Sequence, residues 1–291
     1  MTMADYLVIS PVKNEEKFIE KTIQSVINQT ILPKKWIIVD DGSTDRTAEI
    51  IRKFTNQHDF IFPLIRQSGE KKRKRGQGVV EAFYEGLGAA VIEDYNYLVK
   101  LDGDLILPPD FFEKVFAQFE MDSKLGIASG ISYAQKNGKW IREKAAKGYT
   151  FGETKVYRRQ CFEEIGGLVP HMGWDGIDHI KAVMLGWTAK SIENIIFYHL
   201  RPEGRGTGMV KAAWEEGMCC YFMGYHPVFF FLRALKNMTK FPFFIYGGAM
   251  LYSHFRCALL KEERIADKGF IAFLRRNQLK RLLSLNSKYT P

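Results

Sequence analysis

The chain has 291 residues, 46% hydrophobic and 26% charged, with 25 Gly, 10 Pro and a formal net charge of +9. That length buries a substantial core without disulfide or metal staples, and the balance excludes disordered, collagen-like and disulfide-scaffold chains. The 42 basic against 33 acidic residues point to contact with phosphates, whether of nucleic acid, anionic lipid or a nucleotide. The cysteines Cys161, Cys219, Cys220 and Cys257 form no C-x-x-C, and MTMADYLVIS does not read as a signal peptide, so a reducing cytoplasm is expected. Asn28-Gln-Thr30 and Asn237-Met-Thr239 are then chance matches to a glycosylation pattern.

Along the chain, Tyr6–Ser10, Trp36–Asp40 and Tyr97–Leu101 are short β-branched and aromatic runs with little alternation, which predicts parallel strands covered on both faces. Between the first two, Phe18, Ile19, Thr22, Ile23, Val26 and Ile27 recur at helical spacing, and after the second Ala48, Ile50, Ile51 and Phe54 do so. Strand, helix, strand, helix predicts an α/β sheet. Pro108-Pro109 opens a further helix over Asp110–Met121, since proline is tolerated in a first turn. From about residue 211 the texture changes, with Phe, Tyr, Met and Gly crowding the chain, and we place a boundary there: one domain over 1–210 and a helical region over 211–291. Counted between charged residues, Gly217–Leu232 gives 16 residues and Phe241–Phe255 gives 15, each short of the ~20 apolar residues that span a bilayer. With Arg233, Lys236, Lys240 and Arg256 beside the aromatics, the region reads as one lying in a headgroup layer; the alternative is a helical subdomain packed on the first domain or on a second copy.

In open α/β sheets ligands bind outside the carboxyl ends of the strands, and the acids fall there. Asp40 and Asp41 end the second strand, and Asp102 and Asp104 follow the third. Carboxylate pairs converging on one rim repel and protonate unless a cation lies between them. Hard oxygen ligands suit Mg²⁺ or Mn²⁺, which such sites share with substrate phosphates. The competing reading of Asp41-Gly-Ser-Thr-Asp45 is a turn with Ser43 or Thr44 as helix cap, and that of Asp102-Gly-Asp104 a simple turn.

PVKNEE (Pro11–Glu16), the pattern S-V-x-x-Q-T (Ser25–Thr30), VDDGSTDRT (Val39–Thr47) and LDGD (Leu101–Asp104) stand in the order and spacing of family 2, GT-A-fold glycosyltransferases, which the chain resembles over roughly residues 5–200. The resemblance implies an α/β, Rossmann-like nucleotide-diphospho-sugar transferase domain, a UDP- or GDP-linked sugar donor, a divalent metal (Mg²⁺ or Mn²⁺) and inversion at the anomeric carbon. By position, Pro11 and Glu15 resemble the loop beside the nucleoside, and Asp41, with Asp40 next to it, the carboxylate that accepts from the base. Asp102 then faces ribose and metal, and Asp104 is the metal ligand. The basic run Lys71–Arg75 precedes Gly76-Gln77-Gly78, where such enzymes have a glycine segment leading into a helix near the donor. Arg75 is the residue of that run expected to reach the phosphates, the rest reading as a solvated or membrane-facing loop. His199, in FYHLRPEGRGTG, resembles a C-terminal metal-ligating histidine, and Arg201 and Arg205 beside it are suited to the leaving diphosphate.

An inverting transferase needs a base for the acceptor hydroxyl, and the candidates are Asp175 and Asp178. Counting back from Gly186 puts Asp175 on the aspartate of the family's E-D motif, with Trp174 where glutamate usually stands. Asp178 reads alternatively as an N-terminal residue of a helix running to Leu185, and Trp174 as a sugar-stacking wall or as core.

The expected function is transfer of one sugar to a glycan or glycolipid hydroxyl, at the cytoplasmic face of a membrane. The absence of Q-x-x-R-W and of spanning segments argues against a processive synthase. The nearest rival is a polyprenyl-phosphate sugar transferase. A rival of another class is a non-catalytic membrane-adaptor or nucleic-acid-binding protein on a degenerate fold, but no RNA-binding signature is present and no nucleic-acid partner is expected.

Overall fold

The computed structural model describes residues 4–66, 76–136, 138–143, 149–201, 208–239 and 243–283. The chain divides into two compact units, Met1–Pro202 and Glu203–Thr290. The first runs β1 (Tyr6–Val12), α1 (Ile19–Ile27), β2 (Lys35–Asp40), α2 (Thr47–Thr55), β3 (Ile61–Ile65), α3 (Gln77–Gly88), β4 (Tyr97–Leu101), β5 (Leu105–Ile106), α4 (Phe111–Met121), β6 (Leu125–Lys136), β7 (Lys139–Arg142), β8 (Thr154–Arg158), α5 (Arg159–Glu164), α6 (Trp174–Met184) and β9 (Thr188–His199).

One sheet carries all these strands in the order β3-β2-β1-β4-β8-β6-β9-β5, with β7 paired on β6. β1 to β4 form a parallel half. β8 then runs antiparallel between β4 and β6, and β9 lies parallel to β6. The missing alternation in the early strands has a direct cause, because both faces are covered. Tyr6, Val8, Trp36, Ile38 and Val99 enter the core under α1, α2 and α4, while Leu7, Ile9, Ile37, Val39 and Leu98 enter the opposite core with Val80, Phe83 and Phe162. The two layers place the carboxyl ends of β1, β2 and β4 on one rim, next to the end of β9.

The second unit contains α7 (Met209–Phe222), α8 (Pro227–Met238), α9 (Ile245–Leu259) and α10 (Lys268–Leu282). Ala213, Cys220, Phe230 and Met250 form its small core. Glu216 is held there by Arg233 at 2.7 Å and by the Tyr246 hydroxyl at 2.9 Å. No described helix is long and apolar enough to cross a membrane. α8 nevertheless exposes Val228, Phe231, Leu232 and Leu235, a stripe at helical spacing, and α9 exposes Tyr252, Phe255 and Leu259.

Candidate active site

The Asp102–Asp104 loop is pinned from α1 and β1. Leu105 N donates to Thr22 Oγ1 at 3.0 Å. Gln29, 6% exposed, donates to the carbonyls of Ser25 and Pro108 and accepts from Phe112 N, so the glutamine of the S-V-x-x-Q-T pattern ties the end of α1 to the segment after the loop. Gly103 is required by close approach: a Cβ there would lie 2.7 Å from Val12 Cγ1. Asp102 N donates to Glu153 O at 2.8 Å, and its carboxylate accepts from Lys100 Nζ at 2.6 Å. Burial raises the Asp102 carboxyl above its ordinary range, with Lys100 opposing and Asp104 adding to the rise.

The register of β5 on β9 sets Leu105 opposite His199 and so brings the acidic loop to the end of β9. Asp104 Oδ2 lies 3.5 Å from His199 Nε2 and 3.6 Å from Arg201 Nε. On its other side His199 Nδ1 is 3.5 Å from Glu143 and 3.9 Å from Glu153. Burial, the largest single effect, pulls the imidazole down, but bonding to Asp104 and Glu143 and the charge of Glu153 outweigh it and push the group up to about 11. Ligand atoms of Glu143, Glu153 and His199 all lie within 4.8 Å of one another. Carboxylates with an imidazole form a donor set suited to Mn²⁺ or Mg²⁺.

At the carboxyl end of β1, Pro11 lies opposite Val39, and Glu15, 3% exposed, has its N–H on Thr47 Oγ1 at 2.8 Å and its carboxylate on the Arg201 guanidinium. Asp41, bound through its N–H to Val12 O, faces Lys13 at 3.5 Å and Arg66 at 3.1 Å. Asp40 is used by the turn itself, accepting from Ser43 N at 2.8 Å. The cap expected of Ser43 or Thr44 falls instead to Asp45, which accepts from the N–H of Thr47, the first residue of α2. A cavity of about 510 Å³ opens beside this end, lined among others by Lys13, Asn14, Lys17, Phe18 and Arg201. α3 begins at Gln77, and Gly76 before it packs so closely on Met172 that a Cβ would lie 2.7 Å from Met172 Cα. Arg75 and Arg205 lie outside the described residues.

The two acids of α6 have different surroundings. Asp178 is not an N-terminal residue of its helix: left-handed Gly173 starts α6 at Trp174, which places Asp178 in the second turn, 1% exposed. Its carboxylate is occupied by Lys155 at 2.7 and 2.9 Å and by the Tyr157 hydroxyl at 2.5 Å. Burial raises it, opposed by Lys155 and Tyr157. Asp175 is partly exposed, in the first turn, and accepts from the Tyr149 hydroxyl at 2.5 Å. Trp174 is 6% exposed and belongs to the core, not to an open stacking wall.

The structure thus brings Asp102, Asp104, His199, Arg201 and Glu15 into one connected group, sets Asp41 beside it with Lys13 and Arg66, and withdraws Asp178 into the interior. Sequence reasoning missed Glu143, Glu153, Lys100, Lys155 and Tyr149. For Lys100 a signal existed, since a charged residue inside a short apolar run (YLVKL) is either an edge residue or a buried and partnered one.

A twisted, mixed sheet with helices on both faces and an acidic rim at the strand ends is the GT-A-like architecture. The chain belongs to glycosyl transferase family 2, whose sequence model matches residues 7–174, more than half of its length. It is 33% identical over 117 residues to poly-beta-1,6-N-acetyl-D-glucosamine synthase of Staphylococcus aureus, a match covering 40% of this chain but only 26% of that relative. In fold it is similar to a mannosyltransferase from Pyrobaculum calidifontis solved with GDP-Man and Mn²⁺, at 17% identity and TM-score 0.56, covering 97% of this chain and 76% of that one. It is equally similar to the TarS 1–349 fragment of S. aureus solved with UDP-GlcNAc, at 17% identity and TM-score 0.56, covering 96% and 79%.

Proposed function

We propose that the protein is a metal-dependent, inverting glycosyltransferase that moves one sugar from a UDP- or GDP-linked donor to a hydroxyl of a glycan or glycolipid acceptor. The observation carrying this reading is the grouping of Asp102, Asp104 and His199 at the strand ends, with partly exposed Asp175 in the first turn of α6 beside Gly152. Asp104 and His199 would hold a divalent cation with Glu143 and Glu153 beside them, and the cation's role when bound is to neutralise charge on the departing diphosphate. Asp102 faces ribose, Asp41 and Glu15 line the nucleoside end, and Arg201 stands ready for phosphate oxygens. Asp175 takes the proton as the acceptor oxygen bonds the anomeric carbon and the bond from that carbon to the diphosphate oxygen breaks, inverting the centre. Asp178 is a scaffold for α6 in this reading. The N-acetylglucosamine relatives make UDP-GlcNAc the first donor to try.

A donor panel tests the reading: binding and slow hydrolysis of UDP-, GDP- and dTDP-sugars with Mn²⁺, Mg²⁺ or EDTA, alongside Asp104→Ala. Selection of one donor, dependent on metal and lost in the variant, is expected; no binding under any metal would overturn it. The exposed apolar stripes of α8 and α9 favour a lipid-linked acceptor and peripheral membrane contact, and with them the second reading, a polyprenyl-phosphate sugar transferase. A phosphate acceptor needs no strong base, so near-normal turnover of Asp175→Asn would select that rival.

A further inference from the structure

We propose that Lys100, Lys155 and Trp174 form a positioning bridge that ties the donor-side carboxylate Asp102 to the turn carrying Asp175; the inference rests on the transferase reading above. The sheet register sets Lys100 of β4 directly opposite Lys155 of β8, and their side chains are 3% and 0% exposed. Like charges directly opposite on neighbouring strands destabilise a sheet, and lysine is almost never fully buried unless paired. Here each ammonium has its own carboxylate, Asp102 at 2.6 Å from Lys100 and Asp178 at 2.7 Å from Lys155.

Both ammonium groups also lie over the same indole, 5.1 and 5.3 Å from the Trp174 ring centroid, within the range where a ring face attracts a cation. Each reaches the acceptor side through a carbonyl as well. Lys100 donates to Gly152 O at 2.7 Å, and Lys155 to Asp175 O at 2.5 Å. Gly152 in turn makes room for the Asp175 carboxylate, since a Cβ at that position would lie 3.2 Å from it.

The links that the two lysines make between Asp102 and Asp175 are charged or charge-to-ring contacts of buried ammonium groups, where such contacts are stronger and more directional than at the surface. Well-packed apolar residues would serve stability as well or better than buried ion pairs. What this arrangement adds is a fixed spacing between a carboxylate on the donor and one on the acceptor. A misplacement of about 1 Å at reacting groups lowers a rate on the order of 100-fold, so the spacing matters to turnover.

Replacing Lys155 strands the buried Asp178 carboxylate, and replacing Lys100 leaves a buried strand position to refill and Asp102 unpaired, so the decisive test reads the bridge spectroscopically and without turnover. The protein is labelled with 5-fluorotryptophan, and the Trp174 signal among the five tryptophans is identified with Trp174→Phe. Asp102→Asn is expected to shift the Trp174 fluorine resonance although it does not touch the ring, and a Trp174 signal unmoved by Asp102→Asn overturns the proposal. In turnover of the donor selected by the panel, Trp174→Leu is expected to lower kcat at least ~10-fold with donor KM unchanged, and Trp174→Phe, which keeps a ring face, to recover much of that loss. Loss confined to KM, or equal loss in both variants in step with a lower melting temperature, also overturns it. A normal rate in Asp175→Asn sinks the base assignment and not the bridge, because the fluorine shift reports the bridge independently of the chemistry.

Discussion

An imidazole set among three carboxylates has its chemistry constrained in both directions. His199 carries a folded-state pKa of about 11 against an ordinary 6.5, so in the metal-free protein its proton stabilises the fold fully below 6.5 and that contribution is lost as pH rises through 11. Thermal midpoints measured across that window are expected to fall, with a shallower slope in His199→Gln. A divalent cation needs the neutral imidazole and displaces that proton, so Mn²⁺ should raise the midpoint more at the alkaline end than at the acidic end. A midpoint shift independent of pH would remove His199 from the ligand set. At Gly103 the constraint is steric. Gly103→Ala puts a methyl 2.7 Å from Val12 Cγ1, and the loop must move with Asp102 and Asp104 on it. Overpacking of this kind costs about 1–3 kcal/mol, and donor kcat/KM should fall by more than that stability loss alone explains. Unchanged kinetics would show that the loop position is not critical.

At the scale of elements, α1 and the residues just after it clamp the Asp102–Asp104 loop. Gln29→Ala leaves Phe112 N without its side-chain acceptor, at a cost of about 1–3 kcal/mol for a buried donor left unmade, and takes from Pro108 O one of its two donors, Phe111 N remaining. Chemical denaturation should show the loss, and a weaker apparent metal affinity should accompany it because the clamp and the loop share those bonds. β1, β2 and β4 were legible in the sequence because burial on both faces makes them nearly continuous apolar runs. β6 was not: it is broken by Gly126, Gly130, Ser129 and Ser132 and by irregularities between Leu125 and Ile127 and between Ser129 and Ile131, so no period-2 or continuous signal survives. β8 was hidden for a different reason, since Lys155 looks solvent-seeking until Asp178 arrives from a distant helix to neutralise it. The start of α6 was misread because a glycine in left-handed conformation sets it, and nothing local distinguishes that glycine from one in a loop.

Across the whole molecule, the acids that follow a strand directly could be read from sequence, whereas Glu143, Glu153 and Lys155 could not, because the antiparallel return through β6, β7 and β8 decides where they meet. The second unit carries its own expectation. The α8 stripe, with Lys236 exposed beside it, suits an anionic bilayer surface, and vesicles rich in anionic lipid should retain the protein where neutral vesicles do not. Phe231→Ser with Leu235→Ser should weaken that retention ~10-fold or more by removing apolar area from the contact; retention unaffected by the pair would assign the stripe to another role. The order of strands in the sheet has a last consequence, for synthesis. β9 lies beside β6 and delivers His199 to a loop made about ninety-five residues earlier, so a chain growing at roughly 5–20 residues per second exposes its acidic rim for several seconds before the histidine emerges. During that interval the nascent protein holds the carboxylates of the rim without their imidazole partner, and a free divalent ion captured then would act as a folding aid.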